Sequence, residues 1–123
     1  MAEHNETGRW GERVACNFLV GKGYAIKETN WRMPPYEIDI VAMKGNRIVF
    51  VEVKTRSDDF LDPIVAVDKR KMANMTRAAN AFVNHYDIPH EVQFDIITIT
   101  GDQDNYKIEH YPDAFYPPLR SYR

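Results

Sequence analysis

The stretch YEIDIVAMKGNRIVFVEVKTR, Tyr36 to Arg56, admits few folds. Two runs of aliphatic and β-branched residues flank Gly45-Asn46, a pair suited to a two-residue type II′ turn. With that loop, Lys44 faces Arg47 and the numbers of every cross-strand pair sum to 91. One face then pairs Met43 with Ile48 and Val41 with Phe50. The other pairs Ala42 with Val49, Ile40 with Val51 and Ile38 with Val53. Both faces are apolar between Ile48 and Val51, which predicts strands central to a sheet rather than at its edge. A four-residue loop about the same point keeps this register, whereas a three-residue loop sends Asp39 and Glu52 to opposite faces.

The same register sets Asp39 opposite Glu52 and Glu37 opposite Lys54. Charges in a sheet core are costly unless paired, hydrated or bound to a metal. Directly opposed side chains have Cβ atoms about 4.5–5.5 Å apart, and like charges there are destabilising. Two such carboxylates share either a proton or a cation. Mg²⁺ suits the arrangement, because it takes one or two carboxylates, keeps several waters and accepts phosphate oxygens. Lys54, two residues past Glu52, is placed to orient a water or to neutralise charge on a phosphate. A structural ion-pair cluster accounts for the same charges, and the pattern alone leaves both readings open.

The rest of the chain frames this hairpin. Trp10, Val14, Ala15, Phe18 and Leu19 follow helical spacing between about Glu3 and Lys22, stopped by Gly21-Lys22-Gly23. Gly8 and Gly11 share that apolar arc, which implies close packing on a neighbour. Glu12 borders it beside Ala15 and Leu19, as an acid recruited to a site or as an exposed helix residue. Tyr24 to Arg32 reads as a strand before a loop at Pro34 and Pro35, and Ser57 to Pro63 reads as a loop. Asp68 is the expected N-cap of a helix reaching about Tyr86, with a core stripe of Met72, Met75, Ala79, Phe82, Val83 and Tyr86. Glu91 to Thr100 and Tyr106 to Tyr111 are strands about the turn GDQDN, and the aromatic tail PDAFYPPLRSYR is expected to dock irregularly. The order is α-β-β-β-α-β-β: an α/β fold with a mixed sheet of about five strands flanked by helices, in one domain spanning residues 1–123.

Composition narrows the class. Apolar residues at 44% and charged residues at 28% are globular proportions and exclude a disordered chain. No apolar run approaches the ~20 residues of a membrane span. The N-terminus lacks a signal-peptide core and Cys16 is the lone cysteine, so a cytoplasmic protein without disulfides is expected. Cys16 itself reads as a small buried helix residue. A formal charge of −2 disfavours a nucleic-acid-coating protein but not a nuclease, whose acidic site is offset by bound metal. Lys69, Arg70 and Lys71 follow the N-cap of the second helix, where the dipole disfavours cations. Phosphate binding explains that placement, and solvated surface lysines are the alternative. Arg32 and Arg56 flank the carboxylate end of the hairpin, where they contact phosphates or pair with Glu37 and nearby aspartates. Asp95, inside an apolar strand, is expected to bond backbone or an arginine. His4, His85, His90 and His110 lack zinc spacing. GDQDNYKIE lacks the glycine of a calcium loop.

The segments GRWGERVACNFLVGKGY, NWRMPPYEIDIVA, VFVEVKTR, VDKRKMANMTRAA, FDIITI and IEHYPDAF, in that order, resemble the small, mostly bacterial YraN-like family over nearly the whole chain. Asp39 followed thirteen residues later by Glu52-Val53-Lys54 resembles the PD-(D/E)xK nuclease superfamily, although Ile38 stands where its name has proline. Glu12 on a leading helix is similar to the archaeal Holliday-junction-resolvase branch. The resemblance implies a restriction-endonuclease-like core in which Asp39 and Glu52 bind Mg²⁺ or Mn²⁺, Lys54 is the catalytic lysine and Glu12 is an additional acid. It implies phosphodiester hydrolysis in nucleic acid, with branched DNA among the substrates. The alternative is a nucleic-acid-binding module that keeps the fold and cuts nothing. Resolvases act as symmetric dimers, so a homodimer is compatible with the resemblance; a membrane role is not expected.

Overall fold

The apolar arc Trp10, Ala15 and Leu19 winds into α1 (Glu6–Gly21) in the computed structural model, which describes residues 6–57 and 68–115. The expected helix start at Glu3, His4, most of the loop after Ser57 and the tail beyond Phe115 lie outside the described residues. Helix α1 is followed by β1 (Ala25–Met33), β2 (Tyr36–Lys44) and β3 (Arg47–Arg56), then α2 (Lys69–Tyr86), β4 (Glu91–Asp102) and β5 (Asn105–Tyr111). The strands form one sheet in the order β1-β2-β3-β4-β5. All neighbours are antiparallel except β3 and β4, which α2 connects in parallel, as a crossover requires.

Local chemistry sets the element boundaries. Gly45 takes φ +57° while Asn46 is absent from the positive-φ residues, the II′ combination, and Lys44 pairs with Arg47 as expected. Asp68 caps α2 by accepting the N–H of Lys71 at 3.0 Å. The last hairpin is tighter than the sequence suggested. Its loop is only Gln103-Asp104, because Asp102 Oδ1 accepts the N–H groups of both Asp104 and Asn105.

Helix α1 packs on one face of the sheet through Trp10, Ala15 and Leu19, over Ile40, Ala42, Val49, Val51 and Ile97. Gly11 makes this approach possible, since a Cβ there would come within 2.5 Å of Thr55 Cγ2. Helix α2 covers the other face through Ala78, Ala79 and Phe82, over Trp31, Val41, Phe50 and Phe94. The expected stripe is therefore partly core: Met75 and Val83 pack against it, whereas Tyr86 is 46% exposed and accepts the indole N–H of Trp31 at 3.2 Å. Phe115, from the expected docking tail, stacks on Phe94. Among the described residues no helix is long and apolar enough to cross a membrane.

One expectation about the central hairpin fails. The register runs as predicted from Lys44–Arg47 to Ile40–Val51, and the ladder ends there. Below that point Tyr36, Glu37 and Ile38 pair with Met33, Arg32 and Trp31 of β1, while Glu52 to Arg56 pair with β4. The strands part into a fork. Ile38 then packs with Trp31 under α2 and not opposite Val53, which packs under α1, and the expected pairing of Glu37 with Lys54 gives way to Glu37 with Arg32. Since Ile40 also packs under α1, the strict in-and-out alternation of β2 is interrupted at the residue between them, Asp39.

Candidate active site

Asp39 sits in the notch of the fork. Its Oδ2 accepts the N–H of Val53 at 2.9 Å, a donor that the ladder no longer uses. The side chain is half-buried between the two packed faces. Burial first, then the charge of Glu52, then that of Glu12, push the Asp39 carboxyl up to about 8, although the Val53 hydrogen bond and Lys71 oppose the rise. The charge of Glu52 thus reaches Asp39, although the expected Asp39–Glu52 pair is not part of the ladder, which ends at Ile40–Val51.

Glu52 lies one residue past the last ladder pair, and its side chain is only 12% exposed. Burial raises its carboxyl above the usual range, with Lys71 and Lys54 pulling the other way. Lys71, for which the sequence left phosphate binding and a solvated surface open, places Nζ 3.1 Å from Glu52 Oε2. Burial lowers the Lys71 ammonium, yet Glu52, Asp39 and Glu37 together hold it above its ordinary value. Lys54 follows Glu52 on the same strand, half-buried and near enough for its charge to act on that acid. A cavity of about 440 Å³ opens beside Glu52 and Lys71, bounded by Tyr36, Glu37, Asn74 and Arg77.

Glu12 approaches from the α1 side. Its Oε1 accepts Asn30 Nδ2 at 2.7 Å, and its charge acts on Asp39. Asn30 lies in the left-handed region at φ +52°, between the pairs Thr29–Ile40 and Trp31–Ile38, which sets it across from Asp39. Its Oδ1 is buried without a hydrogen-bond partner. The sequence reading passed over Asn30; an asparagine within a β-branched and aromatic strand is its one visible signal. Cys16 is half-buried, and burial, then Glu12, push its thiol up.

The remaining basic candidates are not gathered at the fork. Arg32 is 3.6 Å from Glu37, the pairing the sequence offered as its alternative. Arg56 borders a separate cavity with Thr7, Trp10 and Asp102. Lys69 and Arg70 are exposed in the first turn of α2. Asp95 is structural and fully buried: Tyr24 Oη at 2.9 Å, Gln93 Nε2 at 2.8 Å and the Asp113 N–H at 2.9 Å donate to it, and His110 Nε2 lies 2.8 Å away. Of the two partners expected, backbone or an arginine, backbone is the one present, joined by these side chains.

The acids at the fork offer oxygen donors only, a chemistry that would suit Mg²⁺ or Mn²⁺. Asp39 and Glu52 are the two that would have to share such an ion. Among the described residues no three His, Cys, Asp or Glu side chains are grouped to grip one unaided. Water and substrate would complete the shell, as Mg²⁺ tolerates.

Comparison with known proteins agrees with the YraN-like resemblance. The model of the family described as "Uncharacterised protein family UPF0102" matches residues 11–99, which include Glu12, Asp39, Glu52, Lys54 and Lys71. A UPF0102 protein of Bacteroides thetaiotaomicron is 49% identical over 120 residues, 97% of this chain and 99% of the relative. One from Parabacteroides distasonis is 45% identical, covering 98% and 100%. Another, from Flavobacterium psychrophilum, is 47% identical, covering 94% and 98%.

Proposed function

This chain belongs to the UPF0102 family, and from that footing we propose that its fork is a phosphodiester-hydrolysing site of PD-(D/E)xK type acting on nucleic acid, branched DNA included. One observation carries the reading. Asp39 is held where two central strands separate, within the field of Glu52, with Lys54 two residues further along the second strand. Acids set in a notch between core residues such as Ile38 and Val53 repel one another to no structural use.

In this reading Asp39 and Glu52 hold the ion, and a bound Mg²⁺ or Mn²⁺ supplies Lewis-acid polarisation and a more acidic water. Lys54 orients the attacking water or offsets charge growing on the phosphate. Glu12, fixed through Asn30, steers the field at Asp39 from the α1 side. A homodimer belongs to the same proposal, because a four-way junction has paired scissile strands.

The test is a cleavage assay on branched and linear DNA with Mn²⁺, comparing the unaltered chain with Lys54→Ala. Cleavage lost in the variant supports hydrolysis at the fork. Equal inactivity of both turns the reading to a binding module that retains the fold.

A further inference from the structure

Resting on the hydrolytic reading above, we propose that Lys71 is the resident counter-ion of the site, its ammonium bound to Glu52 until a divalent cation replaces it. Metal entry then requires the Lys71–Glu52 pair to open.

The geometry is that of a plug. Glu52 is 12% exposed and Lys71 39%, so the acid lies inside and the amine stands at its entrance, 3.1 Å away. A lysine in the first turn of a helix is disfavoured by the dipole, and a nearby anion offsets that cost. The anion is supplied by the sheet: Glu52, Asp39 and Glu37 all act on Lys71, whose backbone N–H is already capped by Asp68. An ammonium and a divalent cation on the same partly buried carboxylate repel each other strongly at such range. One must leave when the other arrives. The cavity of about 440 Å³ gives the lysine somewhere to go, along a wall that also carries Asn74 and Arg77. There the released ammonium and the Arg77 guanidinium offer two positive groups to a phosphate, so metal occupancy and phosphate binding reinforce each other. Lys71 is on this account a positioning residue, distinct from Lys54.

Titration of Mn²⁺ into the full chain, followed by calorimetry, tests the exchange. Lys71→Met removes the competitor and should bind Mn²⁺ roughly tenfold more tightly, whereas Lys71→Arg, which keeps the charge, should stay within about threefold of the unaltered protein. Thermal unfolding supplies a second readout. Lys71→Met should melt below the unaltered protein without metal, and saturating Mn²⁺ should close the gap; a merely structural lysine leaves the gap unchanged. Lys71→Gln repeats both measurements should the methionine variant fail to fold. Mn²⁺ affinity that is equal or weaker without the lysine, or a melting gap that persists, overturns the proposal while the unaltered protein still binds the ion. Absence of Mn²⁺ binding in every variant and in the unaltered chain removes the hydrolytic reading as well.

Discussion

Val53 donates its backbone N–H to the carboxyl of Asp39, so one side chain both finishes the β2–β3 ladder and sets an ionisable acid in the notch beyond it. The hydrogen bond explains how an acid persists at the edge of an apolar sheet. It also fixes the acid's position without spending a rotamer on solvent. Several consequences can be measured.

Asp39 destabilises the metal-free fold. Between the unfolded value of 3.8 and about 8, the folded chain keeps a proton that the unfolded chain has lost. Stability therefore falls as pH rises through that window, and the penalty is complete above it. Asp39→Asn retains an oxygen for Val53 and cannot ionise. Without metal at pH 8 it should be more stable by about 1–3 kcal/mol, with a flatter pH profile. Saturating Mn²⁺ should reverse the ranking, since a ligand at 100 times its Kd adds about 2.7 kcal/mol to the protein that binds it. Urea unfolding from pH 5 to 9, with and without Mn²⁺, checks both halves.

Lys54 and Glu12 should separate by size of effect. Losing a group that meets developing charge costs about 10²–10³ in rate, the loss expected of Lys54→Ala. Glu12→Gln acts through Asp39 and should cost about 10–100-fold, as outer-shell partners do. Single-turnover cleavage of a DNA substrate, at matched folded fractions, measures the ratio. Equal losses for the two variants would contradict this division of roles.

Gly11 is where α1 meets the sheet. Gly11→Ala drives a methyl into Thr55 Cγ2 and should cost about 1–3 kcal/mol, since overpacking moves backbone. Thr55→Ser deletes that methyl. The double variant should recover most of the loss, and a double-mutant cycle by thermal unfolding reads the coupling directly.

Asp95 should be the costliest single carboxylate to remove. Burial pushes its pKa up, but His110, Gln93, the Asp113 N–H and Tyr24 outweigh burial and hold it below its ordinary value. Its contribution is therefore present above the unfolded value of 3.8 and is lost as pH falls through the lower folded value. Asp95→Ala strands buried donors and should cost about 3 kcal/mol or more at pH 7. The variant should also lose less further stability below pH 4 than the unaltered chain. Chemical denaturation at pH 7 and pH 3.5 distinguishes the two effects.

The hairpin was legible in the sequence because its signals are local. A period of two, a Gly-Asn turn and apolar residues on both faces fix register and centrality together, and the register from Lys44–Arg47 to Ile40–Val51 follows. Asp39, Glu52 and Lys54 stood out for the same reason, as charges in an otherwise greasy pattern. The fork was not legible. Where the strands part, Glu37 keeps its pairing with Arg32 of β1 and Glu52 with Ile96 of β4, contacts set by distant parts of the chain. Lys71 was half legible: its place at a helix start suggested an anionic partner, and that partner is Glu52 of this same chain. Asn30 and the donors around Asp95, from Tyr24 to Asp113, are joined only by the fold.

Every ladder pair between β2 and β3 lies on the turn side of Asp39 and Glu52, so the hairpin closes before its acids begin. Positions 39, 52 and 54 thus stand outside the β2–β3 pairs, although Asp39 still accepts the Val53 N–H and Glu52 and Lys54 still pair with β4. If the proposed chemistry were lost, the pairs that close the hairpin would remain, and an asparagine at position 39 would still offer Val53 an oxygen.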